Sequence, residues 1–152
     1  MVEVEVERTI DCAPETFLEF VMDPERYREV DDKIVQVLWQ RREGNLTEFK
    51  FKPRIPGMRL PEPPAVSQMR LTPGKRIDVE LAPPPRNRVN HFMATFRASW
   101  TCERDGDGTH VRRWLSFDFN PLVRWLFEPV LRRTLKPSAE RELRLAKQIL
   151  ER

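Results

Sequence analysis

Apolar and polar residues alternate with period two from the start of the chain. Val2, Val4 and Val6 interleave with Glu3, Glu5 and Glu7, and Ile10 extends the apolar side. This predicts a half-buried strand. Pro14 then opens a short helix with Phe17, Phe20 and Val21 on one side. A second helical turn starts at Asp23-Pro24, where Asp23 is a capping residue and Tyr27 and Val30 are inward candidates.

From Lys33 the period returns to two. Val35, Val37 and Trp39 share one strand face, and Glu43-Gly44-Asn45 marks a tight hairpin. The returning strand carries Phe49 and Phe51. Five prolines in residues 53–64 deny regular structure and predict a stiff loop, with Ile55, Met58 and Leu60 to bury. A strand around Val66–Leu71 turns at Thr72-Pro73-Gly74 into one with Ile77, Val79 and Leu81 on one face. Two longer strands follow. Phe92, Ala94, Phe96, Ala98, Trp100 and Cys102 share a face of the first, and Val111, Leu115, Phe117 and Phe119 a face of the second.

The last third is helical, starting at Asn120-Pro121. Ala139, Leu143, Ala146 and Leu150 recur at four, three and four residues, the stripe of a helix lying on a core. Pro129 and Pro137 are expected to kink or briefly break it. Strand, two short helices, a run of antiparallel strands and a long closing helix make an α+β arrangement. About seven strands curved around one helix leave space that the helix cannot fill, and that space is the functional lead.

Composition narrows this picture. A chain of 152 residues is one domain's worth, spanning 1–152. No apolar run reaches the roughly 20 residues that span a bilayer, and the first residues lack the pattern of a signal peptide, so a cytoplasmic protein is expected. The net charge of +3 is small, and the basic residues are interleaved with 24 acidic ones, which argues against nucleic acid. Cys12 and Cys102 fit no metal-ligand spacing and read as buried, reduced thiols.

The opening strings Ile10-Asp11-Cys12-Ala13-Pro14 and Asp23-Pro24-Glu25-Arg26-Tyr27, with the order of elements, resemble the polyketide cyclase/dehydrase and lipid-transport family. That family belongs to the START-like (SRPBCC, helix-grip) superfamily. The resemblance implies a curved antiparallel sheet around the C-terminal helix and a hydrophobic cavity between them. It also implies a small-molecule ligand, whether lipid, polyketide-like or isoprenoid. Many relatives carry a tryptophan shortly after the Arg-Tyr step, where this chain has Val30.

Chemistry is sparse at this level. No helical histidine pair, Cys-x-x-Cys or carboxylate cluster points to a metal, and no glycine-rich loop cradles a phosphate, so no cofactor is expected. Strand parity turns His91 and His110 to solvent. Arg113 shares parity with Val111, Leu115 and Phe117; it either faces the cavity, ready for a carboxylate, phosphate or enolate, or snorkels outward at the strand end. The outward reading is preferred. Tyr27 is expected mainly to pack the short helix on the sheet.

The expected ligand walls are Trp39, Phe49, Phe51, Phe96, Trp100, Leu115, Phe117 and Phe119 from the strands, with Leu126, Val130 and Leu143 from the helix. Alanines 94 and 98 leave volume between the aromatics. A non-catalytic binding or carrier protein is the first reading. A cyclase or aromatase using Arg113 and Tyr27 is the alternative, disfavoured by the shortage of inward polar groups. An interaction module comes third. The apolar run Leu122–Phe127 suits a membrane-touching or dimerising helix start, although burial beneath the proline loop is preferred there. The oligomeric state is open.

Overall fold

The computed structural model describes residues 1–59 and 62–151. The first strand, β1 (Val2–Ile10), buries Val2, Val6 and Ile10 and exposes its glutamates, as its alternation dictates. Two short helices follow, α1 (Pro14–Val21) and α2 (Pro24–Tyr27), each with proline in its first turn. Asp23 does not cap α2; its carboxylate accepts a bond from Gln40 Nε2 at 3.0 Å.

The chain then builds β2 (Ile34–Glu43), β3 (Leu46–Pro53), β4 (Ala65–Thr72) and β5 (Arg76–Leu81). After a short helix, α3 (Arg88–Met93), come β6 (Ala94–Asp105), β7 (Gly108–Phe119) and the closing helix α4 (Pro121–Leu150). The seven strands form one antiparallel sheet in the order β1-β7-β6-β5-β4-β3-β2. Helices α1 and α2 thus carry the chain from one edge of the sheet to the other, and hairpins return it.

Helix α4 lies across β1 and β7, the starting side of the sheet. Leu131, Leu135, Ala139, Leu143 and Ala146 are fully buried there. Each buried leucine contributes about 1.5–3 kcal/mol by leaving water. The helix runs without a break through Pro129 and Pro137, so of the expected kink or break the break does not occur. The Asn120 side chain caps it by accepting from Leu122 N at 2.9 Å.

Two further expectations fail. Residues 88–93 form a helix rather than the start of a strand, so Phe92 stands exposed instead of joining the inner face. His91 belongs to this helix and donates from Nε2 to the Ala82 carbonyl at 2.7 Å. Strand β2 is an edge strand with register shifts between Ile34 and Gln36 and between Val37 and Trp39. Those shifts disturb the alternation and leave Val35, Leu38 and Trp39 exposed.

The proline-rich loop is fastened to α4. Thr134 Oγ1 donates to the Pro56 carbonyl at 2.6 Å, and a Cβ at Gly57, where φ is +85°, would meet Thr134 Cγ2 at 2.7 Å. Ile55 is buried and Met58 half-buried. Leu60 lies outside the described residues.

Candidate functional site

A cavity of about 130 Å³ opens on the inner face of the sheet, with no residue of α4 in its lining among those described. Its strand walls come from Phe49, Phe51, Met69, Val79, Phe96 and Phe117. Helices α1 and α2 add Val21, Pro24 and Tyr27, α3 adds Asn90 and Met93, and the proline-rich loop adds Ile55, Glu62 and Pro63. The volume suffices for on the order of ten waters. Phe96 and Phe117 lie 4.8 Å apart between ring centroids, and Phe119 stacks on Phe127 of α4 at 5.5 Å.

The lining also includes a buried charged cluster. Arg113, on the inner face of β7, is 1% exposed, which overturns the outward reading. Its Nε donates to Glu142 Oε1 at 2.8 Å, and its Nη2 lies 3.7 Å from Asp31 Oδ2. The guanidinium carbon stands 3.7 Å above the Trp100 ring centroid. Lys33 Nζ reaches Asp31 Oδ1 at 2.8 Å and Glu142 Oε2 at 3.1 Å. Tyr27 donates its hydroxyl hydrogen to Glu142 and accepts from Trp100 Nε1 at 2.8 Å. Tyr27, Asp31, Lys33, Trp100 and Arg113 line the cavity, whereas Glu142 sits behind them on α4.

The charges hold one another in place. Desolvation raises the Asp31 carboxyl, but Lys33 and Arg113 outweigh it and hold the pKa below its ordinary value. Desolvation likewise opposes the Lys33 ammonium, and Asp31 and Glu142 overcome it to raise the pKa. Burial, reinforced by Glu142, pushes the Tyr27 phenol well above its usual value, so Tyr27 stays neutral. Its single hydrogen is committed to Glu142, which leaves none for a carbonyl in the cavity. Arg113 Nη1 is buried and has no hydrogen-bond partner among the described residues.

The predicted walls divide between cavity and core. Phe49, Phe51, Phe96, Trp100, Phe117 and Phe119 line the cavity, as does Ala94. Leu115 and Leu143 are fully buried elsewhere, in the layer between α4 and the β1–β7 side. Leu126 and Val130 are also absent from the lining, and Trp39 projects from the bulged edge strand with 39% exposure. The helix-derived walls fail for one reason: α4 packs on β1 and β7 and contributes no lining residue among those described. Leu122 and Trp125 are exposed, which corrects the expectation of a buried helix start.

Sequence reasoning missed Asp31, Lys33 and Glu142. Glu142 had a signal, because it lies three residues after Ala139 and four before Ala146 on the buried stripe. Asp31 and Lys33 precede β2 in an irregular segment where no periodicity applies.

Outside this site, burial pushes the Cys102 thiol up to about 12. Both cysteines are free, Cys12 being half-buried. In the native protein at pH 8, Cys102 is therefore expected to resist iodoacetamide and to react once urea unfolds the chain. Mass spectrometry of the labelled peptides checks this; rapid native labelling of Cys102 would contradict its burial.

Among the described residues no helix is long and apolar enough to cross a membrane, and no cluster of His, Cys, Asp and Glu could hold a metal ion. No curated protein matches the sequence significantly. Solved structures do match the fold. A protein of Thermus thermophilus superposes with a TM-score of 0.74 at 17% identity, covering 97% of this chain and 95% of that one. The Zhui aromatase/cyclase of Streptomyces sp. R1128 gives 0.73 at 14% identity, covering 99% and 94%. Norcoclaurine synthase of Thalictrum flavum, solved with a transition-state analogue, gives 0.66 at 10% identity, covering 98% and 93%. These likenesses establish the helix-grip fold. The family model for polyketide cyclase/dehydrase and lipid transport matches residues 1–151, and the chain belongs to that family.

Proposed function

We propose that this protein binds a hydrophobic small molecule of lipid, polyketide-like or isoprenoid type in the cavity on the inner face of the sheet, and carries or presents it. The observation that carries this reading is a largely apolar cavity whose lining includes a buried charged cluster around Arg113. Affinity would come mainly from apolar burial, at about 25 cal/mol per Å² before association costs. The charged cluster would fix the ligand's orientation.

A second reading, cyclase- or aromatase-type catalysis in the same cavity, gains support from the buried network. Inward polar groups are not scarce after all. Arg113 is the residue for this role, since its spare N–H would stabilise an enolate oxygen in a water-poor site. Tyr27 would act as a positioning residue that orients Glu142.

Native mass spectrometry of the purified protein, with a panel of fatty acids, quinones and polyketides, tests both. A bound member of the panel supports the binding reading, and conversion of that ligand to a new mass supports catalysis. A protein that retains nothing and binds none of them refutes the cavity's assignment as a ligand site.

A further inference from the structure

Resting on the binding reading above, we infer that the Arg113 end of the cavity is built for a neutral oxygen acceptor, a ketone, quinone or enol oxygen, and rejects a free carboxylate. Two observations carry this. The first is the unpartnered donor. Arg113 spends Nε on Glu142 and points Nη2 toward Asp31, while Nη1, buried on a residue that lines the cavity, has no acceptor among the described residues. A buried donor without a partner is costly, and a ligand oxygen would satisfy it with a charge-assisted bond.

The second is the charge balance around that donor. Lys33 and Arg113 bring two positive charges, and Asp31 and Glu142 bring two negative ones. Each carboxylate is claimed by both cations, so the set is neutral before any ligand arrives. Glu142 accepts from Tyr27, Lys33 and Arg113, so its oxygens are already engaged. A ligand carboxylate would lose its hydration and add a third negative charge beside Asp31 and Glu142, with both Lys33 and Arg113 already matched. A neutral carbonyl takes the Nη1 hydrogen at far lower desolvation cost. The remaining ionisable lining residues, Arg54 and Glu62, belong to the proline-rich loop, and Arg54 is exposed to solvent.

The test compares three probes of one size, 2-acetylnaphthalene, 2-naphthoate and 2-ethylnaphthalene, by titration calorimetry at pH 7.5. The expected result is ketone binding roughly tenfold or more tighter than either of the others. In Arg113→Lys, which keeps the charge but lacks Nη1, the ratio of ketone to 2-ethylnaphthalene affinity should fall toward one, whatever happens to the two affinities themselves. A second readout needs no variant, because the carbonyl stretch of the bound ketone should fall in frequency when Nη1 donates to it.

Equal binding of ketone and hydrocarbon overturns the inference, as does a naphthoate preference that Arg113→Lys abolishes. Both outcomes leave the cavity a hydrophobic binding site. If no probe binds, the binding reading itself fails and takes the inference with it. Should Arg113→Lys not fold, an unshifted carbonyl stretch in the wild type overturns the inference alone.

Discussion

Replacing Glu142 by alanine is expected to destabilise the protein by about 3–5 kcal/mol, read as a fall in the urea midpoint at unchanged slope. Glu142 is fully buried on α4, and its carboxylate receives Tyr27, Arg113 Nε and Lys33 Nζ. Truncation would leave three buried donors short of an acceptor and the two cations facing Asp31 alone. Glu140, exposed on the same helix, is the control, and its change to alanine should stay within about 0.5 kcal/mol. A loss at Glu142 below about 1 kcal/mol would mean that water replaces the carboxylate freely and that this end of the cavity is not dry.

That cost belongs to breaking the network, not to having it. A buried set of paired charges is weak evidence for stability, because packed apolar residues of similar volume often do as well or better. What the set achieves here is position. Glu142 reaches across from the buried stripe of α4 and fixes a tyrosine from α2, a lysine preceding β2 and an arginine from β7. The helix contributes nothing to the cavity lining among the described residues, yet through one carboxylate it sets the direction of the groups that do.

The same geometry explains what could be read from the sequence. The valine–glutamate alternation of β1 and the long alternations of β6 and β7 each bury one face, so period and orientation were legible together. The α4 stripe was legible for the same reason. Strand β2 was not, since an edge strand pairs on one side only and its bulges let the apolar period drift outward. Helix α3 buries none of its residues and leaves no periodic trace. The site was half legible. The aromatic walls follow from parity, and parity also placed Arg113 on the inner face. Its destination depended on Glu142 and Asp31, which lie 29 residues after it and 82 before it in the chain. No local pattern reports a charge pair at such separation.

Filling the cavity from Ala94 should abolish ligand binding with little harm to the fold. Ala94 opens β6 opposite Phe119 and lines the cavity between Met93 and Phe96. A tryptophan there would direct its indole into a space of about 130 Å³ and take much of the room a ligand needs. The affinity of any ligand found by native mass spectrometry should fall by roughly a hundredfold or more, about 2.7 kcal/mol. Stability should change by less than about 3 kcal/mol, because the new ring enters existing space and does not wedge packed atoms apart. Trp39→Ala, on the exposed edge strand, should leave binding unchanged. The two variants together locate the ligand. If Ala94→Trp binds as the wild type does and Trp39→Ala does not, recognition lies on the outer edge of the sheet. The reverse result places the ligand against Phe96 and Phe117, within reach of Arg113.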